Sequence, residues 1–156
     1  MTDTLRKEFR ERLDEINVGM LAAGDARAVP MSHYLDKDAD TVWFITANGT
    51  DLAKTAQTGA KAEYTVCSNN EKLHARIDGE LQAVTDPAKL EELWNAIAGA
   101  WFEDGKRDDD VQLLRMKLTE AEVWVTRGSA AFLYEIAKAQ MTGDKPDMGD
   151  HGTIRF

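Results

Sequence analysis

RAVPMSHYLDKDADTVWFITANGTDLAKTA, residues 27–56, holds two apolar runs on either side of an acidic turn. The first run carries an interior proline, Pro30, and the second is broken at Asn48-Gly49. Thr50 follows at once as a helix N-cap, with Asp51 in the first turn, and Gly59 marks the stop of this short helix. A helix start at a strand exit leaves free N–H groups there, and these attract anions. Proline removes a ladder donor, which a sheet tolerates at an edge or where it opens. The segment therefore predicts an opened strand beside an anion-attracting terminus, with Arg27 sharing a strand face with Val29 and Met31.

Working outward, Leu5, Phe9, Leu13 and Ile16 recur at helical spacing among charges, which predicts an amphipathic helix lying as a lid on the core. Val18–Ala23 and Arg27–His33, joined at Gly24-Asp25, predict a hairpin, and Val42–Thr46 a third strand. Ala62–Cys67 reads as a fourth strand. From Leu73 to Ala83 apolar and polar residues alternate, the pattern of an antiparallel strand with one wet face. Asp86-Pro87 starts a helix with Leu90, Leu93, Trp94 and Ile97 on one side. An acidic loop, Glu103–Asp110, then leads to strands at Val111–Leu118 and Glu122–Arg127, an apolar helix at Ala130–Met141 and a loose tail ending HGTIRF. Six or seven antiparallel strands, with helices at their ends rather than between them, predict an α+β barrel in one domain over residues 1–156.

Several function classes are disfavoured at once. No GxGxxG or GxxxxGK[ST] nucleotide loop is present. His33, His74 and His151 share no ligand spacing with Cys67, so no metal site is expected, and Asp108-Asp109-Asp110 lacks the glycine of a calcium loop. No nucleophile elbow surrounds Ser32, Ser68 or Ser129. A net charge of −9 argues against nucleic acid and anionic lipid as partners. The charged N-terminus and the lack of any long apolar window predict a cytoplasmic protein that does not enter a membrane. Cys67 lies in an apolar run and is expected as a buried structural thiol. Of the four tryptophans, Trp43 and Trp94 are expected in the core, while Trp101 and Trp124 stand where a flat ligand or a subunit contact could meet them.

An ordered set of motifs carries a resemblance along nearly the whole chain. It comprises Val29-Pro30-Met31, Trp43–Thr46, Asp78-Gly79-Glu80, Asp86–Asn95, Ala100–Phe102, Leu113–Arg115, Ala121–Trp124 and His151-Gly152. In these the chain resembles the general stress protein 26 group of FMN-binding split-barrel proteins, relatives of pyridoxamine 5′-phosphate oxidase. The resemblance implies a split β-barrel, a homodimer, and FMN at the subunit interface. It would set Arg27, Val29 and Met31 along the flavin, Ile45, Thr46 and Ala47 on its ring and ribityl chain, and Thr50 on its phosphate. Trp101 and Trp124 match family tryptophans near that interface.

Two departures stand out. The family's basic residue after W-F-x-T is replaced by Thr50-Asp51-Leu52, which leaves Lys54 and Arg27 as the compensating cations, and its second arginine before Pro-Met is Val29. The oxidase's C-terminal substrate signature is absent after Trp124, so oxidation of pyridoxine phosphate is not expected. The expected role is flavin-dependent oxidoreduction or stress response, with no catalytic residue assigned. The alternatives are a non-catalytic flavin-binding or sensing dimer and a cofactor-free interaction module.

Overall fold

The computed structural model describes residues 2–36, 38–70, 72–95, 99–100, 102, 109–126, 129–145 and 149–156, without the side chains of Thr2 and residues 129–132. Ile97, Trp101 and most of the acidic loop lie outside the described residues. In chain order the elements are α1 (Thr2–Glu15), β1 (Gly19–Ala23), β2 (Ala26–Met31), β3 (Tyr34–Asp36), β4 (Thr41–Ala47) and α2 (Asp51–Ala56). They continue with β5 (Ala60–Cys67), β6 (Leu73–Val84), α3 (Pro87–Leu93), β7 (Val111–Val125), α4 (Ser129–Thr142) and β8 (Asp150–Arg155).

Every strand pairing is antiparallel, in the order β2-β1-β5-β6-β7-β4-β3, with β8 also on β7. The two ends of that path, β2 and β3, are consecutive in the chain and separated only by Ser32 and His33. A sheet whose outermost strands are joined by two residues must curl until its edges meet. Among the described residues those edges share no ladder, so the barrel is closed in outline and split in its hydrogen bonding. This is the expected α+β split barrel, with eight strands where six or seven were anticipated.

β7 makes the curl possible. Its first half, to Lys117, pairs with β4, and its second half, from Glu120, pairs with β8 on the same edge. The changeover falls at a bulge, where the β6 partners step from Leu118 opposite Gly79 to Glu120 opposite Asp78. Bulges bend a strand and increase its twist. At this bend the amide of Leu118 donates to the Asp40 carbonyl, and the amide of Phe156 donates to the Thr119 carbonyl. A Cβ on Gly79 would lie 2.4 Å from the Lys117 carbonyl oxygen, so only glycine lets the two backbones approach here.

One continuous core fills the interior. Leu73, Ala75, Ile77 and Leu81 of β6 face it with Val42 and Phe44 of β4, as period-two alternation requires. Leu5, Phe9, Leu13 and Ile16 of α1 all reach the same core, so the lid helix is present as expected. Burying a side chain such as Phe9 or Leu13 completely is worth about 1.5–3 kcal/mol. Phe9 meets Phe156 with ring centroids 6.0 Å apart, which seats α1 beside β8. Among the described residues no helix is long and apolar enough to cross a membrane.

Four expectations are corrected. Val111–Leu118 and Glu122–Arg127 are not separate strands: β7 runs unbroken from Val111 to Val125, because Thr119 is absorbed as a bulge and not as a turn. The loose tail is β8, which covers an edge that would otherwise be unpaired. Tyr34–Asp36, read as part of a turn, is a short strand on β4. Cys67 is exposed, because it falls on the outward phase of β5. Gly79→Ala should destabilise the protein by about 1–3 kcal/mol, since backbone and not a flexible side chain must give way. Urea unfolding checks this, with an alanine at exposed Glu80 as the control expected to shift little.

Candidate functional site

The unpaired seam between β2 and β3 opens into a cleft of about 490 Å³. Met31, Ser32 and Tyr34 form one side, and Ile45, Thr46 and Ala47 at the exit of β4 form the other. Val18 and Phe102 extend the apolar surface. Pro30 lies on β2, an edge strand paired only with β1, where a missing donor breaks no second ladder.

The floor of the cleft is set by the turn after β4. The Asn48 amide nitrogen donates to the Asp110 carbonyl at 2.7 Å, and its side chain donates to the Asp109 carbonyl at 2.8 Å. Thr50 caps α2 as expected: its hydroxyl accepts from the Ala53 amide at 3.2 Å and donates to the Ala47 carbonyl at 3.1 Å. Leu52, Ala53 and Ala56 anchor the helix in the core, leaving Asp51 and Lys54 exposed.

Behind the cleft a buried polar network fastens the seam. His33 sets Nε2 at 2.8 Å from the Leu13 carbonyl and Nδ1 at 2.7 Å from the Tyr64 hydroxyl, which donates to the Met31 carbonyl at 2.8 Å. A carbonyl only accepts, so Nε2 carries the proton of the neutral ring. Nδ1 then presents a lone pair, so the single Tyr64 proton serves either it or the Met31 carbonyl at any one time. Three elements are thus tied together: the end of α1, β5 and the strand that lines the cleft. Burial lowers the His33 pKa, only partly opposed by the Leu13 carbonyl and the Asp14 charge. Burial likewise raises that of Tyr64.

Of the residues expected at a binding site, Met31, Ile45, Thr46 and Ala47 come together in this cleft. Val29 is exposed farther along β2, and Arg27 lies exposed near its start. The β1–β2 register slips by one residue between the Leu21–Val29 and Ala23–Ala26 pairs, so Arg27 and Ala28 occupy a bulge. Arg27 therefore does not follow the simple alternation with Val29 and Met31. Thr50 caps α2 and Lys54 lies within it, after the β4 exit, and neither lines the cleft.

Trp124 is elsewhere. It stands twelve residues along β7 from Gln112, the partner of Thr46, which is about 40 Å of strand at ~3.3 Å per residue before bending. Its indole is stacked on His151, centroids 4.9 Å apart and planes 5° from parallel. Trp101 lies outside the described residues. Sequence reasoning missed Ser32, Tyr34 and the His33–Tyr64 pair, because a two-residue connection carries no periodicity. Only the placement of a polar Ser32-His33 step after an apolar strand hinted at them.

A family model for pyridoxamine 5′-phosphate oxidase-like proteins matches residues 4–147. Among solved structures, the chain resembles one assigned as a general stress protein 26 from Jannaschia sp. CCS1, with 43% identity, 100% of each chain covered and a TM-score of 0.90. It also resembles the general stress FMN/FAD binding protein of the phytopathogen Xanthomonas citri, at 31% identity over 82% of this chain and 93% of that one, TM-score 0.75. A general stress family protein of Xanthomonas campestris pv. campestris is similar at 30% identity, 83% and 92% coverage and TM-score 0.74. No curated protein matches the chain.

Tyr64→Phe removes the hydroxyl that bridges His33 Nδ1 and the Met31 carbonyl and should cost about 1–3 kcal/mol in urea unfolding. A histidine whose pKa is lowered by folding contributes stability above its ordinary value of 6.5 and loses it as the pH falls through the folded value. Wild-type stability should therefore decline from about pH 7 to about pH 5 more steeply than that of His33→Gln, measured by urea midpoints across that range.

Proposed function

The chain belongs to the pyridoxamine 5′-phosphate oxidase-like family, and from that membership we propose that it is an FMN-binding split-barrel protein serving flavin-dependent oxidoreduction. The observation that carries this reading is the seam cleft, whose wall-forming Met31, Ile45 and Ala47 with Val18 and Phe102 suit a flat, largely apolar ring. Thr46 supplies a hydroxyl at the same wall. The Xanthomonas citri relative, at 31% identity, is an FMN/FAD binding protein, which supports a flavin as the ligand class.

The residues present fit such a group. Met31, Ile45, Thr46 and Ala47 would hold the ring and its chain, while Thr50, Lys54 and Arg27 would meet the phosphate. Bound flavin would supply the hydride or electron transfer, and the protein would supply position, polarity and exclusion of water. Exposed Asp51, in the first turn of α2, opposes a phosphate there and weakens the fit. Both nitrogens of His33 are engaged with Leu13 and Tyr64, and the residue does not line the cleft. That engagement favours, as the second reading, a non-catalytic flavin-binding dimer.

We further propose that the protein is a homodimer. Val18, Met20 and Val29 are 50%, 42% and 39% exposed around the β1–β2 edge, an apolar group bordering the cleft. A second copy would cover it. Trp124, remote from the cleft of its own chain, would then reach a flavin only from the other copy.

Purified protein is expected to be yellow, to release FMN on denaturation and, if catalytic, to bleach with NAD(P)H. Colourless protein that fails to take up added FMN would refute the proposal; FMN retained without turnover by any nicotinamide donor would favour the binder. Asp51→Lys should tighten FMN about three- to tenfold by flavin-fluorescence titration, and unchanged affinity would place Asp51 away from the phosphate. Val29→Glu should turn a sedimenting dimer into monomer and release FMN with it.

A further inference from the structure

A polar pocket of about 310 Å³ lies between α1 and the end of β7, and it shares no residue with the seam cleft. Glu8 and Arg12, one helical turn apart on α1, form one wall. Lys72, Thr126 and Asp150 form the other, and Val125 is the one hydrophobic side chain among the described residues lining it. The sheet fixes this arrangement. Leu73 and Asp150 pair with Val125 from its two sides, and the Thr126 amide donates to the Lys72 carbonyl at 2.9 Å. Gly149 passes so close to the Val125 carbonyl, at a φ of +106°, that a Cβ there would collide with its oxygen.

Three charges in this pocket are without the partners such groups ordinarily find. The Arg12 side chain is only 25% exposed, yet among the described residues its guanidinium makes no hydrogen bond. Its Nε is closed off from solvent with no acceptor, and Glu8, at 3.6 Å, gives a charge contact too long to be a hydrogen bond. Leaving a largely buried guanidinium unbonded is costly, and a planar carboxylate is the acceptor that matches its fork. Lys72 and Asp150 enter no ion pair among the described residues. Their segments lie on either side of β7, so their backbones stand about 10 Å apart at ~4.8 Å per strand. Opposite charges therefore face one space across a gap.

The four charges, Glu8, Arg12, Lys72 and Asp150, sum to zero. A lone oxyanion would meet two carboxylates there, and a lone cation would meet Arg12 and Lys72. A molecule carrying both signs matches the pocket better than either. We propose that this pocket binds a free α-amino acid, its carboxylate accepting from Arg12 and Lys72 and its ammonium donating to Asp150. The site does not rest on the flavin reading.

The test uses the full chain, ¹⁵N-labelled, at constant ionic strength. L-alanine, L-leucine and L-glutamine serve as zwitterions, and propionate and ethylammonium as the singly charged halves. At least one zwitterion should bind saturably, with amide shifts centred on Lys72, Thr126 and Asp150. Propionate and ethylammonium should each bind at least about tenfold more weakly. Asp150→Asn should bring the amino acid down to the level of propionate without weakening propionate. Lys72→Gln should bring it down to the level of ethylammonium without weakening ethylammonium. Both changes remove a charge that has no ion-pair partner, so the urea midpoint should hold. Arg12→Lys keeps the charge but loses the fork, and should weaken amino acids and propionate alike while sparing ethylammonium. The site is overturned by no saturable binding from any of the three zwitterions, or by either half binding as tightly as the whole. Insensitivity to Asp150→Asn and Lys72→Gln, or shifts centred elsewhere, would overturn it equally.

Discussion

The seam depends on a buried imidazole held between a helix end and a tyrosine. β2 and β3 are neighbours in sequence yet form no ladder, so the usual force that closes a sheet is missing where the barrel meets itself. His33 substitutes for it. Through Leu13 it binds the lid helix, and through Tyr64 it reaches the Met31 carbonyl, the last residue of the strand that needs fixing. Buried polar contacts of this kind tie together the elements they join, and removing one partner is costly. The cleft is thus a gap in hydrogen bonding, held open by curl on one side and prevented from spreading by this network on the other.

The second constraint is β7, which serves two partners in succession along one edge. The bulge near Leu118 lets the strand bend from one to the other, and Gly79 permits the approach that the bend requires. Without that changeover β4 could not swing away from β8, and the β4 exit that lines the cleft would not face β2. Site geometry is therefore decided away from the site, at Leu118–Thr119 rather than at the Val111–Leu113 stretch that pairs with Ile45–Ala47, by backbone packing.

Elements governed by local chemistry were legible in the sequence. The Thr50 cap, the Asp86-Pro87 helix start, the apolar stripe of α1 and the alternation of Leu73–Ala83 each depend on neighbouring residues alone. The misses share a cause as well. Tyr34–Asp36 and the HGTIRF tail are too short or too polar to declare a strand, and they became strands because β4 and β7 offered open edges. Cys67 sits at the end of β5, where an apolar run suggested burial but strand phase turned the thiol outward. At the site, Met31, Ile45, Thr46 and Ala47 were anticipated, while Ser32, Tyr34 and Phe102 entered only because the fold brings distant segments of the chain to one cleft.

By itself the sequence determined most of the secondary elements, the antiparallel α+β class, the lid helix and the two strand segments that border the cleft, since periodicity and capping act over a few residues. Tertiary structure decided that β2 and β3 would face each other unpaired, that β7 would divide its edge between two partners, and that Trp124 would stand apart from the cleft of its own chain. Those outcomes follow from long-range closure of a twisted sheet, a quantity summed over every strand and therefore written in no single stretch of residues.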